Sequence, residues 1–307
     1  ASCCGLFGFK PSRGLTEVGD TTSESWGGMS VGHVLSRSVR DSAAFLDLIK
    51  LDQAKLYPLP GKPSSFFEAL AGKDAAEAKL RIAVQYDHPS GEILDQDCLR
   101  AVKQAALLCE SLGHQLEEVA HPVDHGIAAR AMSRLINVYS YQAVSKRAKA
   151  LQLELDDCPL ETSTMAMVKR GVRVIASDFL DAKDCLIMAE RQLERFYQDY
   201  DLIIQPVLSK VPAELGWLDM NSADLKSYGA RFKAYSGLTA LANGTGQPSM
   251  SVPILTTESN LPVGAMFTAA WGQDTKLLRL AAQLENAAPW SGLANGIYSD
   301  SNVHASR

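Results

Sequence analysis

The chain has 307 residues, 46% hydrophobic and 21% charged, the balance of a folded globular protein with ample material for a core. Its net charge of -5, with Lys and Arg scattered, lacks the basic footprint of a nucleic-acid binder, and no stretch reaches the roughly 18 apolar residues of a membrane span. Six cysteines without paired C-x-x-C spacing write neither a zinc site nor a disulfide framework, so a reduced, cytoplasmic protein acting on a small molecule is expected.

The first residues lack the charged-then-apolar layout of a secretory signal. Ala1 opens directly on the dense run Cys3-Cys4-Gly5-Leu6-Phe7-Gly8-Phe9-Lys10-Pro11. Natural termini are usually polar and frayed, so this run reads as the interior of a longer chain. Residues 15–28 are rich in Thr, Ser and Gly and read as a loop. A helix follows, capped by Ser38 with Asp41 three residues on, and Ala44, Phe45, Leu48 and Ile49 fall at helical spacing. Residues 51–73, with Pro58, Pro60 and Pro63, read as a surface connection.

Residues 80–84 form a short apolar run suited to a buried strand. Asp95 opens a helix whose face carries Leu99, Val102, Ala106 and Cys109, and Gly113 stands where a C-terminal glycine cap belongs. Residues 115–119 are the next strand, and strand, helix, strand with short joins marks a crossover unit in a mainly parallel sheet. Residues 126–200 are helical in pattern without heptads and predict a lobe of roughly two to four helices over the sheet. Residues 201–207 read as a buried strand ended by Pro206, leading into a Gly- and Trp-containing loop. Residues 249–255 and 261–267 flank a polar turn as a hairpin. A helix over 274–287 carries Leu277, Leu280, Ala281 and Leu284 on one face, Trp290 closes the folded part, and the small, polar tail from Ser291 is expected to be loose.

Several local patterns admit a chemical reading beside a structural one. Gly28-Met29-Ser30-Val31-Gly32 matches the nucleophile elbow of esterases and has His33 beside it, but the elbow needs an apolar strand before the serine and a helix directly after it. The preceding residues are polar, so a glycine-rich loop is the better reading. His121 and His125 stand four apart as helical zinc ligands might, yet Pro122 intervenes and no glutamate follows the first histidine, which favours a surface loop. Cys3 or Cys4 as a nucleophile would need a base or helix dipole that nothing here specifies, and a buried small side chain is expected instead. Lys10, Ser12 and Arg13 could hold an anion, although Lys-Pro followed by Ser and Gly more plainly builds a tight bend. Phosphate-cradling glycine loops are absent from the sequence.

Three separated blocks resemble the amidase signature family. Ala1 to Gly14 is similar to the segment that follows its G-G-S-I-R-x-P-A motif, with Ala1 at the last motif position. The second block, Trp26 to Ser30 and Leu35 to Ala44, looks like the family's next turn and helix. The third runs from Asn243 through Gly244, Gly246, Gln247, Pro248, Ser251, Val252 and Pro253 to Leu261-Pro262-Val263-Gly264, then Leu277 to Trp290. The wording of the first block and residues 203–217 are most similar to bacterial 6-aminohexanoate cyclic-dimer hydrolases.

The resemblance implies an α/β/α sandwich with a mixed β-sheet, of which residues 1–290 supply the carboxy-terminal portion, with a helical lobe at about 126–200 and a loose tail at 291–307. It also implies hydrolysis of an amide C–N bond through an acyl-serine intermediate, without metal or cofactor. The family's serine nucleophile, its cis-peptide serine and its lysine base would all precede Ala1, so no catalytic residue carries over. What carries over is support: Gly5, Gly8, Lys10 and Pro11 behind the nucleophile loop, and Trp26 and Gly27 near the acyl pocket. Asn137, Tyr141 and Trp217 are picked for the substrate pocket, because aromatic and amide side chains suit a mostly apolar amide. The expected partners are a small-molecule amide and either an amino-terminal half or a second copy. The rival reading is a non-catalytic subunit or a degenerate binding module of the same fold. If the upstream half is missing, apolar surface should lie bare around Cys3 to Phe9, with Leu6, Phe7 and Phe9 prominent.

Overall fold

The structure, a computed structural model, describes residues 1–16, 25–51, 59, 62–71, 79–88 and 91–290. The expected loose tail and about half of the 51–73 connection lie outside the described residues. Seven strands form one mixed sheet in the order β2-β1-β6-β7-β5-β3-β4. They are β1 (Phe7–Lys10), β2 (Leu35–Ser36), β3 (Arg81–Val84), β4 (Gln115–Glu118), β5 (Leu202–Pro206), β6 (Ser249–Thr256) and β7 (Pro262–Ala269). The described helices are α1 (Val39–Ile49), α2 (Phe66–Leu70), α3 (Gln96–Ser111), α4 (His125–Leu151), α5 (Thr162–Gly171), α6 (Ala176–Phe196), α7 (Leu225–Ser236), α8 (Ala240–Thr245) and α9 (Asp274–Ala287). None is long and apolar enough to cross a membrane.

The crossover unit is present. β3 pairs parallel with β4, from Arg81 with Gln115 to Val84 with Glu118, and α3 joins them. β5 runs parallel on the other side of β3. Both faces of β3 and β5 are covered, which is why they read as apolar runs rather than alternating ones, whereas β4 at the sheet edge is mostly exposed. Ile82, Val84, Leu202 and Ile204 face a core shared with α1, α3 and α9, while Ala83 and Ile203 face one shared with α4 and α6. The hairpin is antiparallel, with Ser249 opposite Thr268, and carries a register shift between Pro253 and Leu255. The fold is therefore the expected three-layer sandwich.

Local chemistry sets the helix starts. Ser38 accepts from the Asp41 backbone, Asp95 from that of Asp97 and Asp124 from that of Ile127, each relieving an orphan N–H of a first turn. The lobe is built from α4, α5 and α6. Two helices, α7 and α8, follow the Gly- and Trp-containing loop after β5, and α2 lies in the connection after α1.

Three expectations are corrected. Phe7 and Phe9 are 0% and 5% exposed, because β1 lies inside the sheet between β2 and β6 and Phe7 stacks on Trp290 at 6.2 Å. Leu48 is 81% exposed, and α1 instead buries Val39, Ala43 and Leu46, a register set by where Ser38 starts the helix. Cys3 and Cys4 are exposed rather than buried, for a reason that lies in the turn containing them.

Candidate functional site

Ser2–Cys4 form a single 3-10 turn closed by Gly5 in the left-handed region at φ 63°. Ser2 takes the inward position, and its Oγ accepts from the Gly264 backbone N–H at 2.9 Å, pinning the turn to β7. The two thiols are thereby turned outward. The Cys3 Sγ lies 3.5 Å from the Tyr235 hydroxyl, which accepts from the Ala213 N–H at 3.2 Å and so has its own proton left for the sulfur. Burial and this contact push the Tyr235 phenol up to about 12. Trp217 meets Tyr235 edge-on at 5.7 Å, with the Lys210 ammonium 4.5 Å from its ring centre. Trp217 is thus brought to the Ala1 end through Tyr235.

Behind the turn, a Cβ on Gly8 would stand 2.5 Å from the Cβ of Ala1, so only glycine lets the first residue fold back across β1. Ser12 donates its backbone N–H and hydroxyl to the Asp274 carboxylate at 2.8 and 2.5 Å, and the Lys10 ammonium donates to the Pro11 carbonyl. Burial raises the Asp274 carboxyl, opposed by the two bonds from Ser12. Desolvation brings the Lys10 ammonium down to about 7, opposed by Asp274. Arg13 is not an anion holder. Its guanidinium donates to the carbonyls of Gly28, Asn243 and Gly244 at 2.7 to 2.9 Å, tying the Trp26 loop to α8. Lys10, Pro11, Ser12 and Arg13 build the expected bend and a brace besides.

Trp26 and Gly27 both have positive φ, 51° and 64°, and a Cβ on Gly27 would lie 2.9 Å from the Tyr139 ring and hydroxyl. The loop therefore sits directly on α4. Tyr139 faces Phe179 of α6 at 6.0 Å. The two rings line an open groove of about 480 Å³ together with Tyr141, Gln142, Ser145 and Lys146. Tyr141 lines this groove, Gly27 touches it only through Tyr139, and Trp217 stands apart at Cys3. Asn137 is 6% exposed, and its backbone carbonyl lies only 2.1 Å from where a Gly171 Cβ would be, so it serves the contact of α4 with α5. Tyr139, Phe179, Tyr235 and Asp274 went unread.

The two rival motifs dissolve. Residues 25–28 before Ser30 form a 3-10 turn, no helix begins until Val39, and the His33 Nε2 is bonded to Ser42 Oγ at 2.9 Å. His121 does lie in the connection before α4 and His125 on its first turn, with ring centres 4.0 Å apart. Among the described residues no group of three or more metal-ligating side chains gathers.

Residues 1–278 match the Amidase family. The chain is 30% identical over 305 residues to the 6-aminohexanoate-cyclic-dimer hydrolase of Paenarthrobacter ureafaciens, covering 94% of this chain and 60% of that protein. It is 30% identical over 300 residues to the putative amidase AmiC of Mycobacterium leprae, covering 96% and 61%. The solved 6-aminohexanoate cyclic dimer hydrolase superposes with a TM-score of 0.85 at 28% identity, covering 95% of this chain and 62% of that structure. A bacterial aryl acylamidase shares the fold at a TM-score of 0.74 and 19% identity, covering 96% and 61%. The chain thus spans about three-fifths of the length of the relatives it matches. On the family match over residues 1–278 and the shared fold, the chain belongs to the amidase family.

Proposed function

We propose that this chain is the carboxy-terminal part of an enzyme that hydrolyses amide C–N bonds through an acyl-serine intermediate, and that it is catalytically incomplete by itself. The serine nucleophile, bridging serine and lysine of the family belong to a segment upstream of Ala1. The observation that carries this reading is the anchoring of the Ala1 end. Ser2 on Gly264, Cys3 on Tyr235 and the close approach of Ala1 to Gly8 anchor the Ala1 end, which suits a segment that would carry the nucleophile immediately before it. A nucleophile must be held to a fraction of an ångström, and residues locked by such second contacts provide that.

In this reading the upstream serine attacks the amide carbonyl, the amine departs with a proton, and water then releases the acid. The chain's own contribution is the brace behind the serine and the wall of the substrate site. Trp26, Gly27, Tyr139, Tyr141 and Phe179 form the apolar wall, and Trp217 lies on the Cys3 side. The similarity to 6-aminohexanoate-cyclic-dimer hydrolases supports a linear or cyclic aliphatic amide as substrate, and our reading puts the reaction in the cytoplasm and needs no cofactor. Residues 1–290 act as one incomplete amidase domain whose partner is an amino-terminal half.

The test is hydrolysis of the 6-aminohexanoate cyclic dimer by the chain alone and by the chain fused behind the upstream two-fifths of a matching relative. Removing a serine nucleophile costs on the order of a millionfold in turnover in a well-studied serine hydrolase. The chain alone should therefore be silent and the fusion active. Turnover by the chain alone would sink the proposal.

A further inference from the structure

The carboxyl ends of β3, β4 and β5 lie side by side, because the three strands are parallel neighbours. Such an end is where open α/β sheets commonly bind ligands. A cavity of about 240 Å³ opens there, away from the Tyr139 groove, lined by Gln85, Asp87, Glu118, His121, His125 and Gln205 among others.

Its floor is short of acceptors. Gln85 is 5% exposed, and its amide nitrogen has no hydrogen-bond partner. A buried donor left unpaired is costly, and native proteins rarely keep one without a use for it. The His121 Nδ1 accepts from the Val123 N–H at 3.2 Å, so the ring's proton resides on Nε2, a second donor. Gln205 is equally buried and spends its amide N–H on the Leu238 carbonyl at 3.1 Å, leaving its carbonyl oxygen as an acceptor.

The mouth has the opposite character. Asp87 and Glu118 are exposed carboxylates, and no Lys or Arg is among the described residues that line the cavity. Burial brings His121 down to about 3 and His125 to about 4, so both rings are neutral at pH 7 and add no positive charge. A carboxylate ligand would meet two carboxylates at the entrance. A plain amide would leave both of them without a counter-charge.

We propose that this cavity binds a small amino amide, its carbonyl oxygen directed inward to Gln85 and its protonated amine outward between Asp87 and Glu118. The proposal stands independently of the amidase reading, since it concerns binding and no bond is made or broken.

The probe is 6-aminohexanamide, with hexanamide and hexanoate as controls, titrated into the chain while the ring proton signals of His121 and His125 are followed by NMR. Saturable shifts of both rings are expected with 6-aminohexanamide, and at least about tenfold weaker binding of hexanamide, the worth of one charge-assisted contact. The double variant Asp87→Asn, Glu118→Gln should erase that preference while leaving hexanamide binding unchanged. Both positions are exposed, so the fold should survive, and circular dichroism checks it. Gln85→Met should weaken both amides alike. Equal binding of hexanamide and 6-aminohexanamide, tighter binding of hexanoate, or ring signals indifferent to all three would overturn the proposal.

Discussion

Burial disfavours the protonated form of five imidazoles, His33, His88, His114, His121 and His125. Desolvation lowers His33 to about 4, His121 to about 3 and His125 to about 4. Below the ordinary value of 6.5 the unfolded chain takes up protons at these positions while the folded one does not, so the unfolded state gains as pH falls. The effect is complete near pH 3 to 4, where the folded rings also protonate. Urea midpoints should therefore fall steadily from pH 6.5 to 4. His33→Gln, which keeps a polar partner for Ser42, should flatten the slope, and an unchanged slope would remove His33 from the account. At Gly27 two constraints coincide, a left-handed backbone and contact with Tyr139. Gly27→Ala should cost about 1 to 2 kcal/mol by urea unfolding, whereas Gly32→Ala, with nothing within 4 Å, should cost less.

Among the elements, α3 rests on a single side-chain cap, and Asp95→Ala should lower stability by about 1 kcal/mol. Trp290 closes the far side of β1, stacking on Phe7 and donating its indole N–H to the Arg37 carbonyl at 3.0 Å. Trp290→Ala should cost about 3 to 5 kcal/mol in chemical denaturation, and a loss under 1 kcal/mol would show that the β1 layer does not depend on it. Elements were legible where one physical signal dominated. β3 and β5 are apolar because both faces are covered, and α9 shows its buried stripe Leu277, Leu280, Ala281, Leu284 plainly. α7 was missed because it is mostly polar and buries only Tyr235. The face of α1 was misread because several apolar side chains compete and only packing chooses among them. The same limit governed the site. The glycine-rich turn at Ala1 and the Trp26 loop could be read from residue type, but Tyr139 required the rotation of α4. Contact with Gly171 on α5 fixes that rotation and is invisible in the sequence of α4 alone.

At the scale of the whole molecule, the three layers put the braced Ala1 turn, the Trp26 loop and the aromatic groove of α4 on a single fold. In the amidase reading each awaits a catalytic segment from outside these 307 residues. Such a chain should bind its complement, and light scattering should show a larger species when a separately expressed amino-terminal half is added. The most direct measurement is mass spectrometry after reaction with a fluorophosphonate that labels activated serines. The chain alone should carry no label, and the fusion with an upstream amidase segment should carry one, on a serine before Ala1. Stoichiometric labelling of Ser30, or of any serine within residues 1–307, would contradict the account.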